Sequence, residues 1–122
     1  MEVIEKELSY EIIGIAMKIY NDLGYGFLEK VYENALKNEI EELGLKVKQQ
    51  YPIKVIYNDK IIGDYIADLL IEDKIIIELK TIEKLSKVHE AQILNYLKAT
   101  KIRVGLLINF SLNKLEFKKL VF

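Results

Sequence analysis

The 122-residue chain has no cysteine and a single histidine, His89. The first absence excludes disulfides, thiolate zinc sites and a cysteine nucleophile. The second excludes, within one chain, any site built on two histidines. Proline occurs once, at Pro52. No linker rich in proline or glycine, no repeat and no low-complexity segment is visible, so one domain over residues 1–122 is expected. No apolar run approaches the roughly 20 residues needed to span a bilayer. The start, MEVIEKELSYEII, is acidic and lacks the basic-then-apolar pattern of a signal peptide. A soluble, cytoplasmic protein with no membrane partner is therefore expected. Charge of one sign is also missing: the formal net charge is −1. Bulk electrostatics thus give no case for a nucleic-acid partner, and do not exclude one. Lys101, Arg103, Lys114, Lys118 and Lys119 gather in the last quarter of the chain. They fit a local basic surface or an ordinary solvated one equally well.

What is present is apolar: 51% of residues, enough for a core without staples. Residues 5–23 place Leu8, Ile12, Ile15, Ile19 and Leu23 at helical spacing. Gly24 and Gly26 interrupt that pattern. A second helix fits 28–43, with Gly44 as its C-terminal stop. From residue 45 the period changes to two. KVKQQYPIKVIY, IIGDYIADLLI and KIIIELK read as three strands, with a turn at Asn58-Asp59-Lys60. Residues 86–101 return to helix, and RVGLLINF and KLEFKKLVF close the chain as strands. The order ααβββαββ predicts a mixed central sheet flanked by helices, an α/β (α+β) domain.

The stretch DLLIEDKIIIELK, residues 68–80, sets charges into an aliphatic hairpin. If 72–74 form a three-residue loop, residue 71 faces 75 and Asp68 faces Glu78, with Cβ atoms about 5 Å apart. Two carboxylates so placed repel, and burial raises their pKa values. A divalent cation converts that repulsion into binding. Lys80, on the same face as Glu78, adds a positive charge. An ordinary alternative is an aspartate at a strand end and a Glu78–Lys80 pair near a sheet edge. Against that, IIIELK reads as a buried central strand, where charges are costly unless paired or metal-bound.

Asp68 followed by Glu78-Leu79-Lys80 resembles the catalytic motif of the PD-(D/E)XK nuclease superfamily. Gly26-Phe27-Leu28-Glu29-Lys30-Val31-Tyr32 is similar to the signature of the GxxExxY proteins, a branch of that superfamily. Gln92-x-x-x-Tyr96 resembles the glutamine–tyrosine motif of the branch containing recombination and repair exonucleases. The resemblance runs from about residue 8 to the C-terminus. It implies a restriction-endonuclease-like core and a metal-dependent nuclease hydrolysing phosphodiester bonds of nucleic acid, with DNA the expected substrate. It implies Mg²⁺ or Mn²⁺ as cofactor, held by Asp68, Glu78 and the backbone carbonyl of Leu79. Lys80 would orient the attacking water and stabilise charge. Glu29 would complete the acidic cluster, and Gln92, Tyr96 and Tyr32 would contact substrate.

Each role has a plainer alternative. Glu29 could be a first-turn glutamate facing the helix dipole, with Gly26 as N-cap. Tyr32 could pack in the core, and Gln92 with Tyr96 could be a half-buried polar pair. Glu33 is expected to face solvent. His89 could meet phosphate or stay on the surface. Asp64 could be a spare ligand, or belong to a Gly63-Asp64 turn. The usual proline before the motif aspartate is Ala67 here, and the histidine typical of the first helix in recombination-type nucleases is absent. Without an appended binding domain, substrate affinity would come from the core, a homodimer or a protein partner. A catalytically silent nucleic-acid- or protein-binding module that keeps the fold is the competing reading. A purely structural α/β domain leaves the charged hairpin unexplained.

Overall fold

The computed structural model describes residues 4–122. Helix α1 (Lys6–Leu23) stops at Gly24, whose φ of 71° ends the helical path and whose N–H bonds Tyr20 O at 2.8 Å. Helix α2 (Glu29–Glu42) is capped by extended Leu28 rather than by Gly26, so Glu29 is its first residue. Gly44 follows it with φ 82°, as its position in the sequence predicts. Strands β1 (Val47–Tyr57) and β2 (Lys60–Ile71) are joined by Asn58-Asp59, both at positive φ, the two-residue turn that suits twisted strands. Lys60 belongs to the strand, not to the turn. Then come β3 (Ile75–Lys80), α3 (Lys87–Thr100), β4 (Val104–Phe110) and β5 (Leu115–Val121).

The five strands form one sheet in the order β1-β2-β3-β4-β5. Only β3 and β4 are parallel, and α3 makes the crossover that such a pair requires. The arrangement is a mixed sheet with helices on both faces, the expected ααβββαββ order. Ile75, Ile77 and Leu79 of β3 pack with Ile12, Ile19, Leu36 and Ile40 of α1 and α2. Ile76 packs on the other face with Ile93 and Leu97 of α3. Both central strands are therefore covered on both sides, which explains their unbroken aliphatic runs. Gly105 lets α3 approach: a Cβ there would lie 2.8 Å from Ile93 Cδ1.

The outer hairpin is not regular. Ala67 and Leu69 are two apart in β2, yet Ala67 packs on the α3 face and Leu69 on the α1–α2 face. Strand β1 changes faces likewise between Val47 and Tyr51. The β1–β2 pairing shifts register between Val55 and Ile56 and also skips Gln50 opposite Asp68, where Gln50 has φ 55°. The pleat thus breaks in both strands at the level of the motif aspartate. Among the described residues, no helix is long and apolar enough to cross a membrane.

Candidate active site

The hairpin loop is Glu72-Asp73-Lys74, and the pairs Ile71–Ile75, Leu70–Ile76 and Leu69–Ile77 follow the predicted register. The backbone ladder then ends. One step further on, side chains replace it. Asp68 N–H donates to Glu78 Oε1 at 2.8 Å, and Leu79 N–H donates to Asp68 Oδ2 at 2.8 Å. Each carboxylate therefore occupies a rung between two parting strands. The other oxygens, Asp68 Oδ1 and Glu78 Oε2, have no hydrogen bond. Among the described residues no buried side-chain oxygen lacks a partner, so these two oxygens reach solvent. In a strand the N–H and C=O of one residue point the same way, so the Leu79 carbonyl also faces the opening.

Burial is the main cause that raises both carboxyl groups. Glu78, 8% exposed, is pushed up to about 8 by burial and then by the negative charge of Asp68. Asp68 is raised by burial, and the Leu79 N–H only partly offsets this. Glu29 raises both and Lys80 lowers both, so these four groups share one electrostatic neighbourhood. Lys80 is half-buried and engages in no hydrogen bond or ion pair among the described residues, which leaves its ammonium available to a water or a phosphate.

The turn after Lys80 is fixed from β4. Asn109, fully buried, accepts from Ile82 N–H at 2.9 Å and donates to Ile82 O at 3.0 Å and Glu116 Oε1 at 2.9 Å. Glu116 in turn accepts from Leu85 N–H at 3.1 Å. Helix α3 then starts at Ser86, whose N–H donates to His89 Nδ1 at 3.0 Å. His89 thus serves the helix start. On the next turns, Gln92 Nε2 donates to the Tyr96 hydroxyl at 2.7 Å. Burial raises the Tyr96 phenol above the usual tyrosine range, and the charges of Glu78 and Asp68 add to this. The phenol therefore stays protonated, with its own O–H to donate. Tyr96 thus lies within electrostatic reach of the two carboxylates, with Gln92 bonded to its hydroxyl.

Three expectations need correction. Glu33 does not face solvent: it is 3% exposed, and its Oε2 accepts from Lys30 Nζ at 3.0 Å, Gln49 Nε2 at 2.6 Å and Gln50 Nε2 at 3.0 Å. Its charge also raises Asp68. Tyr32 has no surface to offer a substrate. It is fully buried, stacks on Phe110 at 4.2 Å and donates its O–H to Gly24 O at 2.5 Å. Asp64 is neither a ligand nor a turn residue: it lies within β2 and pairs with Lys54 at 2.8 Å.

Among the described residues, no three acidic or histidine side chains close into a cation cage. The donors present still fit a hard, oxygen-seeking cation of the Mg²⁺ type. Such an ion is held by one or two carboxylates and keeps several waters. Two solvent-facing carboxylate oxygens and one carbonyl meet that need, with Glu29 as a further negative charge. The chemistry that this arrangement can support is attack by a positioned water on an anionic centre.

Against known proteins, the family model described as "PD-(D/E)XK nuclease superfamily" matches residues 6–120. No curated protein matches. A solved structure described as "Crystal structure of SSO0001" shares the fold with a TM-score of 0.61 at 17% identity. The match covers 95% of this chain and 56% of that one, so this chain spans little more than half of its length.

Proposed function

The chain belongs to the PD-(D/E)XK nuclease superfamily, and we propose that it is a divalent-metal-dependent deoxyribonuclease of the GxxExxY branch. The observation that carries this reading is the exchange of backbone rungs for carboxylates at Asp68 and Glu78. Burying two acids side by side costs free energy that neutral side chains making the same amide bonds would avoid, and a bound cation offsets that cost. Asp68, Glu78 and the Leu79 carbonyl would hold Mg²⁺ or Mn²⁺. The ion supplies Lewis-acid polarisation of the phosphoryl oxygens and a more acidic water.

The remaining work falls to side chains. Lys80 orients the attacking water and offsets the charge that grows on the phosphoryl group as the water's oxygen bonds to phosphorus. The Tyr96 hydroxyl, kept protonated and steered by Gln92, donates to a non-bridging phosphate oxygen. Glu29 takes the proton that the attacking water gives up, directly or through solvent. The attacking oxygen forms the new P–O bond, the P–O bond to the leaving sugar breaks, and water protonates the departing oxygen.

The test is cleavage of single- and double-stranded DNA with Mg²⁺ and Mn²⁺, comparing the wild-type chain with Lys80→Ala. Metal-dependent cutting that falls by a hundredfold or more in the variant is expected. A folded wild type that cuts nothing would favour the silent module. One feature suits that second reading: each carboxylate is already engaged with a backbone amide, so the acids have a structural use without catalysis.

A further inference from the structure

We propose that the groove between the outer part of the β1–β2 hairpin and the second half of α3 binds single-stranded nucleic acid, with Tyr65 stacking on the first base beyond the carboxylates. The position of that base relative to the scissile bond rests on the nuclease reading; the binding itself does not.

The groove holds about 570 Å³ and is lined by Lys54, Ile56, Tyr65, Asn95, Lys98 and Lys101, among others. No acidic residue lines it. Lys54 is paired with Asp64 at its rim, and Lys98 lies 6.0 Å from the Phe122 ring. The Lys101 side chain makes no hydrogen bond or ion pair among the described residues, although Lys101 ends α3 in an ordered αL conformation. Lys98 and Lys101 leave the groove a net positive charge, which suits an anionic phosphate backbone better than a small neutral ligand.

Tyr65 supplies the second half of the case. It is 46% exposed, yet it is not a loose surface ring. Its ring packs 5.8 Å from that of Tyr96, and a Cβ on Gly63 would sit 3.2 Å from its Cε2. Gly63 therefore leaves the space over which the ring lies. Tyr96 in turn feels the charge of Glu78 and Asp68. The sequence of contacts from carboxylates to Tyr96 to Tyr65 to lysines forms one continuous track. A duplex covers both faces of each base with neighbouring bases, so only an unpaired strand can offer a face to Tyr65. Stacking on an aromatic beside a basic groove is the sequence-tolerant mode of single-strand binding.

The test uses the full chain in EDTA, so that nothing is cut. Fluorescein-labelled oligodeoxythymidylate and a duplex of equal length are titrated by anisotropy at several NaCl concentrations. Tyr65→Ala should weaken single-strand binding about five- to hundredfold, while Tyr65→Phe stays within about twofold of wild type. Duplex binding should be weaker and indifferent to both. Lys98→Ala with Lys101→Ala should lower the salt slope by about 1.4, at about 0.7 for each lost phosphate contact. All of these substitutions fall at exposed positions, and melting curves check that the fold persists. Single-strand binding that is unmoved by Tyr65→Ala and by the lysine pair overturns the proposal. So does preference for the duplex, or no binding at all. Cleavage in Mg²⁺ separates the two ideas. Cutting that is untouched by these variants refutes the track and leaves the nuclease standing. Variant-sensitive binding without cutting does the reverse.

Discussion

If the opening between β2 and β3 receives Mg²⁺, the ion must compete with a proton on Glu78. That carboxyl sits at about 8 in the fold. At pH 7 the protonated form then outweighs the ionised form about ten to one, and at pH 6 about a hundred to one. Only the ionised form offers a good ligand. The apparent affinity for Mg²⁺ should therefore rise about tenfold from pH 6 to pH 7, or about 1.4 kcal/mol, and level off above pH 8. Asp68, also raised, steepens the acid side of this curve. Each ion bound near pH 6.5 should release about one proton from Glu78. Isothermal titration in two buffers of different ionisation enthalpy reads both quantities, and Glu78→Gln should remove the proton release. An affinity that stays flat from pH 6 to pH 8.5, or binding without proton release, would refute either the site or the buried state assigned to Glu78.

The same carboxyl governs stability without metal. The unfolded chain loses this proton near 4.5 and the native chain near 8, so the native state binds more protons between those values and stability falls as pH rises through them. The unfolding free energy from urea titration should be lower at pH 9 than at pH 5, by several kcal/mol at most, and Glu78→Gln, which keeps an acceptor for Asp68 N–H, should flatten the difference. Glu33→Ala should cost about 1–3 kcal/mol in urea unfolding, because it strips partners from Gln49 and Gln50 and frees the kink opposite Asp68. Gly105→Ala should cost about 1–3 kcal/mol by crowding Ile93, and Ile93→Val in the same chain should recover part of it; an additive double variant would count against that close approach.

The hairpin was readable because its signals are local. A three-residue polar loop between aliphatic strands sets the register, and the register sets Asp68 against Glu78. Helix limits were readable within a residue or two for the same reason. What escaped was long-range. Glu33 looks like a surface residue from its helix spacing alone. Its burial depends on Gln49 and Gln50, which lie 16 and 17 residues further along the chain. Gln50 at φ 55° carries no sequence signal, since glutamine has no special tolerance for left-handed backbone. With the pleat assumed regular, Asp64 and Asp68 fell on one face. The break at Asp68 is what sends Asp64 to Lys54 instead. Tyr65 was overlooked because an aromatic in a strand ordinarily means packing, and its exposure shows only once α3 lies across the sheet.

The rungs at Asp68 and Glu78 also constrain how this chain can drift. Where catalytic acids stand apart from the framework, a lineage that abandons hydrolysis can replace them with almost anything. Here each acid closes a gap in the sheet through an oxygen that an amide side chain also possesses. If the chain hydrolyses phosphodiesters as proposed, descendants freed from that task should accept Asp68→Asn and Glu78→Gln long before alanine or glycine at either place. The amides would also escape the charge repulsion between the two acids. In such a lineage the skeleton of the motif would outlive the chemistry.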